Sequence, residues 1–176
     1  RTGNTTFTRI TGTTQLHDGE WHHLAAVRDS SGTMTLYVDG VSEGGTATET
    51  ANIGTNQAMT IGAFDYQATA YDTWRTGYVR DFRVSSNARY SSNFTAPTEP
   101  LTADSNTSLL TCHLPYFADG STNNYTITPG GNVSTQPFGP YDYEEYAVGD
   151  HGGSAYFYGT SDWLSLPTAA GNLGTG

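Results

Sequence analysis

The chain has 176 residues, a formal net charge of −10 and only 14% charged residues. That length suits one domain with a full core. The charge argues against nucleic acid and against an anionic membrane surface, because binding phosphate needs clustered Lys and Arg. Every basic residue is Arg and there is no Lys. Thr, Ser, Gly, Asn and Tyr dominate instead, a composition that favours pleated sheet and tight turns over helix. No apolar stretch approaches the roughly 20 residues of a membrane span. Arg1 is not a start residue, so processing or truncation would hide any leader.

In chain order, the first confident elements form a hairpin. Trp21 to Arg28 runs into the turn cluster Asp29-Ser30-Ser31-Gly32, and Thr33 to Val38 returns with strict alternation. Asp39-Gly40 closes the second strand. Met59 to Gly62, Tyr78 to Val84, Leu109 to Leu114, Tyr125 to Thr128, Ala155 to Tyr158 and Trp163 to Leu166 are further short strands. Within Tyr78–Val84, alternation places Tyr78, Phe82 and Val84 on one face. Ser86 to Tyr90 is the one candidate helical turn. The expected interior is Leu24, Met34, Leu36, Val38, Ile61, Phe82 and Val84. Cys112, the sole cysteine, lies in the apolar run from Leu109 and is expected buried and inert. Pro137-Phe138-Gly139-Pro140 is stiff and extended, as a linker would be.

Three segments resemble the laminin-G-like, concanavalin A-like family. Asp18 to Ala25 with Leu36 to Gly40 is similar to that family's central hairpin. Gly77 to Val84, with Ala88-Arg89-Tyr90 and Asn93 to Pro97, resembles its late strand and exit loop. His151 to Gly159 with Asp162 to Leu166 resembles its opening strands. The resemblance is especially close to repeats of phage and marine-virus structural proteins, which carry a stretch like Asn106 to Cys112 and a turn like Asp119-Gly120-Ser121 between copies. It implies an all-β, two-sheet antiparallel sandwich of the concanavalin A-like jelly-roll type.

The opening-strand pattern follows the hairpin pattern here, so the resemblance implies a sandwich out of frame, sharing strands with a neighbouring copy. The expected division is 1–136 as a sandwich lacking its opening strands, 137–150 as linker and 151–176 as opening strands of the next copy. Burying apolar side chains yields about 1.5–3 kcal/mol each, so Tyr156, Phe157, Trp163, Leu164 and Leu166 are expected to pack into another copy and form head-to-tail contacts. The expected function is a non-catalytic structural repeat of an extracellular or virion fibre, whose partners are copies of itself. The alternative is a lectin-like adhesin module that binds cell-surface glycans.

Glycoside hydrolysis needs two carboxylates flanking the scissile bond. The densest acidic stretch, Asp142-Tyr143-Glu144-Glu145, lies beside the proline-rich segment, and no catalytic residue is assigned. His22 and His23 are adjacent and point to opposite faces, and His17, His113 and His151 are separate, so zinc is not expected. Calcium is the possible cofactor, since it takes oxygen ligands from Asp-rich loops. Asp150 and Asp162 are the candidates, with Asp119 behind them. Sequons stand at Asn4, Asn93, Asn106, Asn124 and Asn132. Tyr66, Tyr71, Trp74, Tyr116, Tyr141, Tyr143 and Tyr146 are expected as exposed loop aromatics suited to subunit contacts or sugars.

Overall fold

The computed structural model describes residues 8–51, 59–64, 73–141, 152–167 and 170. They are all-β, with antiparallel sheets and no α-helix among the described residues. Two compact units divide them. The first holds 8–51 and 85–98, and the second holds 59–64, 73–84, 99–141, 152–167 and 170.

The first unit is a three-stranded antiparallel meander of β1 (Leu24–Arg28), β2 (Thr33–Val38) and β3 (Val41–Thr48). Its first turn forms because the Asp29 carboxylate accepts Ser31 N, Ser31 Oγ and Thr33 N, while Gly32 supplies a φ of +85°. The second turn has φ of +49° at Asp39 and +80° at Gly40, the pair of left-handed residues that a two-residue hairpin requires. A Cβ at Gly40 would stand 1.9 Å from Phe94 O, and Phe94 N donates to Gly40 O at 2.9 Å. The segment 93–96 is thereby fixed on the hairpin turn. Tyr37 is buried against Phe94 and Tyr90, whose rings stack at 3.5 Å, and His23 meets Phe94 edge-on at 5.5 Å.

Three expectations fail in this unit. Leu24 was expected inside, yet it is 56% exposed, because it opens the edge strand of a three-stranded sheet. Met34 and Leu36 are only half-buried, whereas Val38 and Tyr37 are both buried. Alternation marks two faces of β2 correctly, but does not say which is covered. Ser86 to Tyr90 bends without forming a helical turn.

The second unit is built from β4 (Met59–Ile61), β5 (Ala63–Phe64), β6 (Thr73–Trp74), β7 (Thr76–Val79), β8 (Phe82–Ser85, whose last residue belongs to the first unit), β9 (Thr107–Thr111), β10 (Thr128–Gly130), β11 (Ser134–Gln136), β12 (Ser154–Tyr158) and β13 (Trp163–Leu166). Two of its sheets have the strand orders β10-β13-β4 and β11-β12-β7. β5 pairs with β6, and β8 with β9. The core gathers Ile61, Val84, Leu109, Cys112, Ile127, Ala155, Phe157, Leu164, Leu166 and Ala170.

The C-terminal strands depart from the expectation of a shared sandwich. β12 pairs with β7, matching Tyr156 to Tyr78, and β13 pairs with β4, matching Leu164 to Ile61. Phe157, Leu164 and Leu166 are each at most 1% exposed inside this one chain. The edges of β7 and β4 stand open in the same unit, so the strands that seek a partner find one there. The segment expected as a linker is likewise tied down. The Phe138 ring lies 4.6 Å from Tyr78, and Tyr141 Oη donates to Asp81 at 2.6 Å.

The expected strand Tyr78–Val84 is also broken. Asp81 has a φ of +53°, which interrupts the extended chain between β7 and β8. The break shifts the alternation by one residue: Val79, Phe82 and Val84 pack on the core, and Tyr78 faces out at 45% exposure. Buried polar groups hold the corner. Asp81 accepts Arg80 Nε at 3.1 Å, Leu101 N at 2.9 Å and the Tyr141 hydroxyl, while Arg80 Nη1 donates to Gly153 O at 2.6 Å.

Candidate functional site

The sheet β11-β12-β7 buries one face and exposes the other. Directly paired residues in an antiparallel sheet share a face. Ala155 pairs with Val79 and Phe157 with Gly77, and this face is the core. The opposite face carries Tyr156 paired with Tyr78 and with Ser134, and Tyr158 paired with Thr76. Phe138, just beyond β11, adds a fourth ring.

Those rings form a continuous row. Phe138 meets Tyr78 at 4.6 Å, Tyr78 meets Tyr156 at 4.7 Å, and Tyr156 meets Tyr158 at 4.7 Å. Tyr78, Phe138 and Tyr158 are 45%, 41% and 54% exposed. Ser134 and Gln136 flank the row on β11, with Gln136 Nε2 donating to Ser134 Oγ at 3.0 Å. Thr76 flanks it on β7, its hydroxyl donating to Tyr158 O at 3.3 Å. Next to Tyr78, at the edge of β7, Gly62, Arg75, Gly77 and Phe157 help line a concavity of roughly 240 Å³. Gly62 is required there: its φ is +87°, and a Cβ would stand 2.3 Å from the Phe157 ring. This surface is apolar in its rings and polar at its rim, the chemistry of a binding platform.

Sequence reasoning missed this row. Tyr78 was assigned to the core face, and Tyr156 and Phe157 were grouped as assembly residues, although only Phe157 points inward. The usable signal was the alternation Tyr156-Phe157-Tyr158, which marks one apolar residue as core and two tyrosines as surface. Of the aromatics expected to be exposed, Tyr116 is 59% exposed, and Tyr141 is held against Asp81. Tyr66, Tyr71, Tyr143, Tyr146 and the side chain of Trp74 lie outside the described residues.

The acidic candidates divide differently. Asp162 is 1% exposed, and its two oxygens accept Asn132 N at 2.7 Å and Tyr158 N at 2.6 Å. Its carboxylate thus caps the β12–β13 turn and anchors the turn after β10. Asp119 accepts Leu110 N, Ser121 N, the Ser121 hydroxyl and Tyr125 N, all between 2.8 and 3.1 Å. Burial pushes its carboxyl up, but those donors outweigh it and leave the acid below its ordinary value. Both carboxylates accept backbone amides, and Asp119 accepts the Ser121 hydroxyl as well. Asp150, the other calcium candidate, lies outside the described residues, as do Asp142, Glu144 and Glu145. Among the described residues no group of three or more His, Cys, Asp or Glu could hold a metal ion.

In the first unit His22 bridges two carboxylates, its Nδ1 lying 2.7 Å from Asp39 and its Nε2 3.2 Å from Asp18. Hydrogen bonds to Asp39, then to Asp18, raise the His22 pKa above its ordinary value. The bridge clamps the loop before β1 to the turn after β2. Burial pushes the Cys112 thiol of the second unit up to about 12, so it remains protonated at neutral pH. The sequon residues Asn93, Asn106, Asn124 and Asn132 are all exposed, Asn93 Oδ1 accepting Ser42 N at 2.9 Å, and Asn4 lies outside the described residues.

The laminin-G-like model of the concanavalin A-like lectin/glucanases superfamily matches residues 1–93, more than half of the chain, and the protein belongs to that family. No curated protein and no solved structure matches this sequence. The family fits a lectin-like or structural module. No helix among the described residues is long and apolar enough to cross a membrane.

Proposed function

We propose that this protein is a non-catalytic, lectin-like module that acts outside the cell by holding a glycan on the outward face of β11-β12-β7. The observation that carries this reading is the row Phe138–Tyr78–Tyr156–Tyr158, four rings in consecutive contact on a sheet face with a neutral polar rim. Sugars bind such surfaces by laying their C–H faces on aromatic rings while their hydroxyls pair with nearby amides and alcohols. Membership of a lectin superfamily supports the same reading.

The fibre reading rested on β12 and β13 needing a neighbour's core. Their own unit buries them, and the exposed ring row favours a ligand surface instead. Retention of the intact chain on immobilised polysaccharides tests the proposal. Binding to at least one polysaccharide, lost on Tyr78→Ala, supports it; no retention on any member of a broad panel refutes it.

A further inference from the structure

The ring row carries information about the chemistry of its ligand, and the following rests on the lectin-like reading above. We infer that the face takes an uncharged, extended polysaccharide, bound along several consecutive sugars, and discriminates against anionic glycans.

The first argument is charge. No residue of β7, β11 or β12 is charged: the outward positions are Thr76, Tyr78, Ser134, Gln136, Tyr156 and Tyr158, with Ser154 at the buried end. Arg80, directly after β7, is committed to Asp81 and to Gly153 O, and its side chain is 3% exposed. Arg75, directly before β7, is exposed, but it lines the concavity and has the strand parity of Gly77 and Val79, opposite to that of Tyr78. A carboxylate or sulfate laid on the row would lose hydration, and the described residues of that face offer no cation to compensate. The chain's net charge of −10 adds long-range repulsion of a polyanion at low ionic strength.

The second argument is shape. Four rings linked by contacts of 4.6, 4.7 and 4.7 Å make a strip longer than any one of them. One sugar covers only part of it, so affinity should rise with chain length until the strip is filled. Ser134, Gln136 and Thr76 border the strip with hydroxyl and amide groups that both donate and accept, which suits equatorial sugar hydroxyls. A ligand that presents flat C–H faces in succession fits; one with bulky charged substituents does not.

Affinity electrophoresis of the intact chain tests this directly. The gels contain neutral glucan, mannan or xylan, or the carboxymethylated and sulfated forms of the same backbones. The expected result is retardation by at least one neutral polymer, unchanged by added salt, with the charged forms at least tenfold weaker. Oligosaccharides of that neutral backbone should bind more tightly as they lengthen. Tyr78→Ala and Tyr158→Ala should each weaken binding tenfold or more with only a small shift in melting temperature, while Tyr116→Ala leaves binding unchanged. Stronger retention by the charged forms, abolished by salt or by Arg75→Gln, overturns the inference and leaves a glycan-binding module standing. No retention by any polymer overturns both readings. So does a finding that Tyr78→Ala and Tyr158→Ala instead abolish self-association, since the row would then join copies of this chain.

Discussion

Phe157→Ala is the substitution that most directly tests how the C-terminal strands are used. The Phe157 side chain is 1% exposed, lies at the centre of the second unit's core, and packs its ring on the backbone of Gly62. Removing a buried phenyl ring costs about 3–5 kcal/mol, the lost transfer energy plus the cavity left behind. At roughly 2–4 °C per kcal/mol for a chain of this size, the melting temperature should fall by about 6–20 °C. Tyr158, on the same strand, points outward and is 54% exposed, so Tyr158→Ala should change stability by less than about 0.5 kcal/mol, as surface substitutions do. Urea denaturation of the two variants at low protein concentration, followed by tryptophan fluorescence and circular dichroism, gives the comparison. A Phe157→Ala chain as stable as the parent, but with self-association lost, would refute the intramolecular packing of β12 and restore strand sharing between copies.

Other outcomes follow from the polar sites. Asp119→Ala strands the buried amides of Leu110 and Ser121, and at about 1–3 kcal/mol for each unsatisfied group the loss should reach roughly 2–6 kcal/mol in chemical denaturation. Because the folded Asp119 pKa lies below its ordinary 3.8, its contribution is complete above that value and disappears as pH falls through the folded pKa. The His22 bridge has the opposite sign. Its folded pKa lies above 6.5, so the stabilisation is full below 6.5 and is lost as pH rises through the folded value. Stability measured from pH 6 to 9 should decline for the parent and be flatter for His22→Gln; equal slopes would discount the bridge. Asp162→Ala should destabilise equally in calcium and in chelator, since its oxygens already accept two amides. A melting temperature raised by calcium only when Asp162 is present would contradict that assignment.

Much of the local structure is legible in the sequence. β2 occupies Thr33–Val38 and β13 occupies Trp163–Leu166 as their composition indicates, and Asp39-Gly40 forms the turn its residues favour. These features depend on steric preferences within a few residues, which sequence carries directly. The binding face was not legible as a site. Tyr78 and Tyr156 are 78 positions apart, and only the β7–β12 pairing makes them neighbours. The backbone amides that the Asp162 and Asp119 carboxylates accept are likewise partners that no motif displays.

The sequence by itself determined that the protein is all-β and where most of its strands lie. Only the tertiary structure decided which face of each strand is covered. Alternation defines two faces but not their environment, and one left-handed residue, Asp81, moved Tyr78 from the expected core to the surface. Tertiary structure also decided that β12 and β13 close on their own chain. An apolar strand specifies that it must be buried, but burial is non-directional. The free edges of β7 and β4, in register with Tyr156 and Leu164, determine where.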